Sequence, residues 1–177
     1  MNQFISRLMS DNAEDQAKPK RFREREFMTY EIREATIADV AALVDFNWNL
    51  AMETEAKALD REVLTAGVRE MLVTPQRGFY VVAEHEGQVV GATMVTQEWS
   101  DWRNGDFWWI QSVYVVQEHR RRGIFRRLFE CVQRKAQAHQ VCGFRLYVER
   151  DNQTAQQTYH DLGMHETDYK MFEVEFS

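Results

Sequence analysis

The chain reads as a mixed α/β layer fold. Three observations in its 177 residues predict this. Strand-like and helix-like runs follow one another in the order β, α, α, β, β, β, α, β, α, β, with no internal repeat. Two strand patterns meet at Glu86-Gly87, a hairpin signal. Another, Phe107 to Val116, runs through an arginine-rich turn directly into a helical pattern that lasts to about His139.

Taken in order, Tyr30 to Arg33 is the first expected strand. Thr36 stands where an N-cap belongs, with Asp39 three residues on and Val40, Leu43, Val44 and Leu50 at helical spacing. Leu59 to Val73 reads as a second helix, stopped near Pro75. Phe79 to Glu84 and Gln88 to Glu98 form the hairpin strands, and Phe107 to Val116 follows them. In the long helix, Ile124, Leu128, Val132 and Ala136 fall on one apolar stripe, with Phe125 and Phe129 beside it. Both phenylalanines are therefore expected in the core. Phe144 to Val148 reads as a strand, Asn152 to Leu162 as a short helix, and Tyr169 to Phe176 as a last strand. Residues 1–27 differ in character: Asp11 to Lys20 is polar, and Lys18-Pro19-Lys20-Arg21-Phe22-Arg23 is basic. They are expected to be a flexible N-terminal extension to one domain over residues 28–177.

With 44% hydrophobic and 12% aromatic residues, the composition is that of a folded domain, not a disordered chain. No apolar run approaches the ~18 residues of a membrane span. The start, Met1-Asn2-Gln3-Phe4-Ile5, lacks the basic segment and apolar core of a secretory signal. Two cysteines, Cys131 and Cys142, suit a reducing cytoplasm and are expected in or near the core. Five scattered histidines lack ligand spacing, so no metal is expected. The net charge is −6, but residues 120–135 carry seven basic side chains against Glu130 alone. That leaves about −12 on the remainder, a distribution able to steer an anionic ligand to one place.

The centre of that cluster is Arg120-Arg121-Arg122-Gly123-Ile124-Phe125. A turn between a strand and a helix start collects unpaired backbone N–H groups that point at whatever lies in front of the helix. Glycine allows close approach to the backbone, and arginines add charge. The combination suits a phosphate-rich ligand. The plainer reading is a basic run facing solvent or an acidic neighbour, because cations at a helix start oppose the dipole.

Arg120 and Gly123 also fit the phosphate loop Gln/Arg-x-x-Gly-x-Gly/Ala of the GCN5-related N-acetyltransferase family, with Phe125 in place of the final small residue. That family's later pattern, Asn-x-x-Ala-x-x-x-Tyr-x-x-x-Gly-Phe, is met by Asn152, Ala155, Tyr159 and Gly163, with Met164 for the aromatic. Over roughly residues 29–175 the chain resembles this family. The resemblance implies a single mixed, mostly antiparallel sheet flanked by helices, and acetyl-CoA as co-substrate. It implies that backbone groups of Val113, Val115 and Val116 hold the pantetheine arm. Backbone N–H groups from Arg120, Arg121, Arg122, Gly123, Ile124 and Phe125 would take the pyrophosphate, the side chains of Arg121 and Arg122 would reach outer phosphates, and Asn152 would touch the cofactor.

The resemblance makes Tyr159 the candidate acid. Acetyl transfer to an amine expels a thiolate, which benefits from a nearby proton donor. The plainer role is a tyrosine packing one end of the sheet. The amine must lose a proton, and Glu98 and Glu149 are the nearest carboxylates, with a water-mediated route open beside them. Gln111 lies where some relatives carry an ionisable base, which an amide cannot replace. Trp99, Trp102, Trp108 and Trp109 are expected near the substrate side. They could hold a cationic amine or form core or a homodimer contact, and alternation puts one of Trp108 and Trp109 inside.

The expected function is therefore acetyl-CoA-dependent transfer to a primary amine of a small molecule or protein, by direct attack. The alternatives are a non-catalytic acyl-CoA sensor and a nucleic-acid binder, the latter opposed by the acidic body.

Overall fold

The computed structural model of the chain describes residues 28–174 and residue 176. The expected N-terminal extension lies outside them. The elements are β1 (Glu31–Glu34), α1 (Val40–Glu55), α2 (Arg61–Val73), β2 (Gly78–His85), β3 (Gln88–Ser100), β4 (Gly105–Val115), α3 (Ile124–Ala138), β5 (Gly143–Arg145) and α4 (Gln153–Asp161). Single 3-10 turns precede α1 and follow β4. The strands form one sheet in chain order, antiparallel from β1 to β4, with β5 parallel to β4.

Helices cover both faces of this sheet. On one side Leu43, Val44 and Phe46 of α1 and Val68 of α2 pack on Tyr80, Val82, Ala92 and Tyr114. On the other, Ile124, Leu128, Val132 and Ala136 of α3 pack on Val81, Ala83, Val95 and Trp108. The α3 stripe is the one that the helical spacing predicts. Alternation along β2 sends Tyr80 and Val82 to one core and Val81 and Ala83 to the other. A strand buried on both faces reads as a continuous apolar run, as β2 does. Each fully buried Val or Leu contributes about 1.5–3 kcal/mol.

The β2–β3 hairpin turns at Glu86 and Gly87, with φ of 51° and 77°. Two successive left-handed residues match the twist of the flanking strands. At the start of α1, Thr36 N donates to Asp39 Oδ2 at 2.7 Å while Asp39 N returns to Thr36 O at 2.9 Å. Asp39 also forms a bidentate pair with Arg33 of β1, at 2.8 and 2.9 Å. Arg33 Nη2 reaches Glu84 of β2 at 2.7 Å. One guanidinium thus joins two strands to a helix start. The Arg33 bond, helped by Thr36 N–H, holds the Asp39 carboxyl below the usual carboxylate range despite its burial.

Three expectations are corrected. Among the described residues beyond α4 there is no strand, and Phe172 and Phe176 are exposed. Phe172, Val174 and Phe176 alternate as in a strand, but a strand also needs a partner edge, and β5 has only three residues. The strand expected over Phe144 to Val148 shrinks to Gly143–Arg145. Cys142 is exposed, its N–H tied to Asp106 O at 2.8 Å, while Cys131 is half-buried.

Asp39→Asn is expected to destabilise the fold by roughly 1–3 kcal/mol at pH 7, because a charged hydrogen-bond partner of Arg33 is lost. The folded Asp39 pKa lies below its unfolded value of about 3.9. Its contribution is therefore complete above that value and fades as pH falls through the folded one. Thermal melts of both proteins should show a gap at pH 7 that narrows below about pH 4. An unchanged gap at low pH would remove Asp39 from this role.

Candidate functional site

The site is an opening in the sheet. β5 pairs with β4 only where Phe107, Trp108 and Trp109 face Gly143, Phe144 and Arg145. Past that point the chain after β5 leaves the sheet. β4 itself bulges here: Ser112 faces Met94 and Ile110 faces Val95, so Gln111 is the extra residue. A bulge sharpens twist and bends the strand that carries it. Tyr147, after β5, reaches back with its hydroxyl to Gln111 Oε1 at 2.8 Å, and Gln111 Nε2 donates to Thr96 Oγ1 at 2.8 Å. A side-chain bridge stands where ladder bonds have stopped.

Beyond the bulge, backbone groups of β4 point alternately to β3 and to the opening. Val116 N–H donates to Val90 O of β3 at 3.0 Å. Val113 and Val115 therefore present their backbone to the opening, and Val116 does not. Val115 O is covered by Arg120 Nε at 2.8 Å.

β4 then passes through a 3-10 turn to the arginine loop. Arg121 and Gly123 are both left-handed, with φ of 61° and 75°. A left-handed non-glycine residue carries strain of about 1–3 kcal/mol, of the kind that clusters at binding sites. Gly123 caps α3 without a side-chain bond. Among the described residues, the N–H groups of residues 121–126 meet no protein acceptor, the first bond of the helix being Arg127 N to Gly123 O. These donors face forward from a helix N-terminus, an arrangement suited to phosphate oxygens.

Arg120 departs from expectation. Its N–H is taken by Gln117 O at 3.2 Å. Its guanidinium pairs with Glu53 of α1 at 2.7 Å and lies over the Tyr114 ring. Tyr114 donates its hydroxyl to the same carboxylate at 3.0 Å. Arg120 thus ties the end of β4 to α1 and leaves the donor set. Arg122 Nη1 contacts Met28 Sδ, and Arg121 is exposed. Ile124 is buried in the core while its N–H stays at the helix start.

Phe129 is buried as expected, but Phe125 is half-buried and has a second role. Its ring stands edge-on to Tyr159 of α4, 5.7 Å between centroids. The bulky residue at the place of the family's small one thus seats Tyr159 against the first turn of α3. Burial raises the Tyr159 hydroxyl above its ordinary value, with no charge or hydrogen bond contributing. It stays protonated at neutral pH. Asn152 caps α4, its side chain accepting from Ala155 N at 3.0 Å. That bond already accounts for the asparagine in the motif.

The carboxylates differ from each other. Trp109 Nε1 donates to Glu98, and Arg145 Nη1 meets it at 2.5 Å. These two contacts, the indole first, hold Glu98 below the usual carboxylate range. A carboxylate so stabilised is a weak proton acceptor. Glu149 is exposed, and its main-chain carbonyl accepts from Gln156.

The tryptophans do not gather. Trp108 is buried beside Phe79, under α3, and Trp109 is half-buried beside Tyr147. Trp102 lies 92% exposed at the β3–β4 turn, and Trp99 is exposed too. Two of the scattered histidines do meet: His85 and His119 lie 5.3 Å apart, with Tyr30 on His119 Nδ1 at 3.0 Å. Among the described residues no three His, Cys, Asp or Glu side chains form a metal-ligating group.

A cleft of about 520 Å³ lies between α1, α2 and the sheet and reaches β4 at Gln111 and Ser112. Leu50, Leu64, Val68, Met71 and Met94 line it, with Asn47, Tyr80 and Tyr147 as polar groups. Sequence reasoning missed these residues. The available signal was Gly67, a lone glycine inside a helical pattern.

The model of the acetyltransferase (GNAT) family matches residues 41–164. A possible acetyltransferase from Clostridium difficile 630 is 48% identical; the match covers 84% of this chain and 98% of that one, with a TM-score of 0.78. A ribosomal-protein-alanine N-acetyltransferase from Brucella melitensis biovar Abortus 2308 is 15% identical over 84% and 100% of the two chains, with a TM-score of 0.67. An aminoglycoside N-acetyltransferase solved in complex with CoA is 15% identical over 84% and 95%, with a TM-score of 0.70. These last two share the fold. No curated protein matches the chain. An opened sheet, a free donor run at the head of α3, and a matching family model and close relative lead to one conclusion: the chain belongs to the acetyltransferase (GNAT) family and is an acyltransferase of the N-acetyltransferase class.

Proposed function

We propose that the chain transfers the acetyl group of acetyl-CoA to a primary amine by direct attack, with no covalent enzyme intermediate. The observation that carries this reading is the opening beside Val113 and Val115, which leads into the unpaired N–H run of residues 121–126. An extended ligand arm can add to the free backbone like a strand, and a pyrophosphate can take the donors at its end. The residues present fit such a ligand. Bound acetyl-CoA would supply an acetyl thioester, activated for attack by a nitrogen.

The chain's own residues supply positioning and a proton. Val113 through its backbone N–H and carbonyl, and Val115 through its N–H, would hold the arm. Arg121, Arg122, Gly123, Ile124 and Phe125 would donate N–H groups to the phosphates, with Arg121 free to add charge. Tyr159, kept protonated by burial, would give its proton to the departing sulfur. Glu98 is committed to Arg145 and Trp109, so water is the preferred route for the proton leaving the amine.

Two substitutions test this reading. Gly123→Val forces a β-branched residue into a left-handed conformation and is expected to weaken acetyl-CoA binding about tenfold or more, the cost of such strain. No protein atom lies within 4 Å of a Cβ placed there, so the loop need not unpack. Calorimetric titration of a variant with unchanged circular dichroism checks it; native affinity would count against the loop. Tyr159→Phe is expected to lower kcat about 10²-fold, the lower range for a general acid, with acetyl-CoA affinity nearly intact. Thiol-release kinetics measure it, and equal turnover would exclude Tyr159 as the acid.

A further inference from the structure

We propose that the acceptor is a compact, largely apolar monoamine bound without a carboxylate partner, and that Gly67 sets the size it can have. The inference rests on the N-acetyltransferase reading and adds a substrate class to it. Its ground is the cleft between α1, α2 and the sheet. At about 520 Å³ the cleft lies within the size range of small-molecule sites. It meets β4 at Gln111 and Ser112, directly before Val113 and inside the opening that starts past Trp109. An amine in the cleft therefore lies beside the strand that would hold the acetyl donor.

The lining is uncharged. Among the described residues, no Asp, Glu, Lys, Arg or His borders the cleft. Its larger polar side chains already have partners. Asn47 Nδ2 donates to Leu43 O at 2.9 Å and to the Tyr80 hydroxyl at 3.3 Å. The Tyr147 hydroxyl is held by Gln111. A polycation entering here would lose hydration at several ammonium groups and gain no countercharge. An apolar body with a single amine loses little, because most of its surface meets hydrocarbon. The two aromatic hydroxyls leave acceptor lone pairs for one N–H.

Chemically, the neutral nitrogen forms a bond to the acetyl carbon as the carbon–sulfur bond breaks. The thiolate takes a proton from Tyr159, the nitrogen's surplus proton leaves to water, and water returns a proton to the tyrosinate. No oxidant, reductant or metal enters this balance.

Gly67 stands on α2 at the cleft, in the interior of a helix, where glycine is weaker than alanine. A Cβ added there meets nothing within 4 Å. Gly67 borders the cleft and a Cβ there has open space, so Gly67→Leu is expected to fold and to narrow the site.

The experiment measures thiol release with acetyl-CoA and four acceptors: phenethylamine, propylamine, spermidine and the aminoglycoside kanamycin. Calorimetry follows acetyl-CoA and phenethylamine binding to the same samples. The expected kcat/KM for phenethylamine exceeds that for either polycation at least tenfold. In Gly67→Leu the ratio of phenethylamine to propylamine should fall about tenfold or more, as crowding by extra methylenes implies, with acetyl-CoA affinity unchanged. Higher kcat/KM for a polycation, or a ratio unmoved by Gly67→Leu, overturns the inference and leaves the enzyme reading standing. Acetyl-CoA binding with neither binding nor turnover of phenethylamine overturns the inference in the same way. Absence of acetyl-CoA binding to the folded chain overturns both.

Discussion

The parting of β4 from β5 is the constraint on which the rest of the site depends. A parallel pair that closed along its full length would consume the backbone groups of Val113 and Val115. Here pairing stops at Trp109 and Arg145, and Gln111 bulges just beyond. The strand keeps its β3 partner, so it stays rigid while one edge is freed. A rigid strand with a free edge can receive an extended ligand without paying to order itself. The core makes this stable: Tyr114 anchors the freed part of β4 to α1, and Trp108 anchors the paired part under α3.

The arginines divide between holding the fold and facing outward. Arg33 joins β1, β2 and the start of α1, and Arg120 joins the end of β4 to α1 through Glu53. In each case the guanidinium, partly buried in Arg33 and exposed in Arg120, makes directed bonds that lysine could not reproduce. Arg121 is left exposed beside the unpaired N–H groups. A run that looks uniform in sequence therefore holds side chains with different tasks, and the backbone between them carries the donors.

Charge is also separated across the site. The loop at the head of α3 is rich in positive charge, whereas the neighbouring cleft has no ionised group among the described residues. Glu98, on β3 beyond the cleft residue Met94, is neutralised by Arg145 and bonded to Trp109. Anion recognition and acceptor recognition thus use different physics on the two sides of β4: aligned N–H groups on one, apolar contact and oriented amides on the other.

Much of this was legible in the chain. Helical spacing marks Ile124, Leu128, Val132 and Ala136 as one buried stripe, and Glu86-Gly87 marks the hairpin, because both depend on local geometry that neighbouring residues impose. The strand–loop–helix order places Gly123 at a helix head for the same reason. Three matters needed the tertiary structure. Whether Arg120 faces a ligand or Glu53 depends on a residue 67 positions away. Whether Glu98 is free depends on Arg145, across the sheet. Whether Phe172 and Phe176 join a strand depends on an edge, and β5 is too short to offer a long one. The sequence by itself determined the order of the elements up to α4, the buried stripe of α3 and the turn that carries the backbone donors, since these follow from periodicity and turn chemistry. Only the tertiary structure decided which side chains are already engaged and where an uncharged cleft remains, since both depend on contacts between residues far apart in the chain.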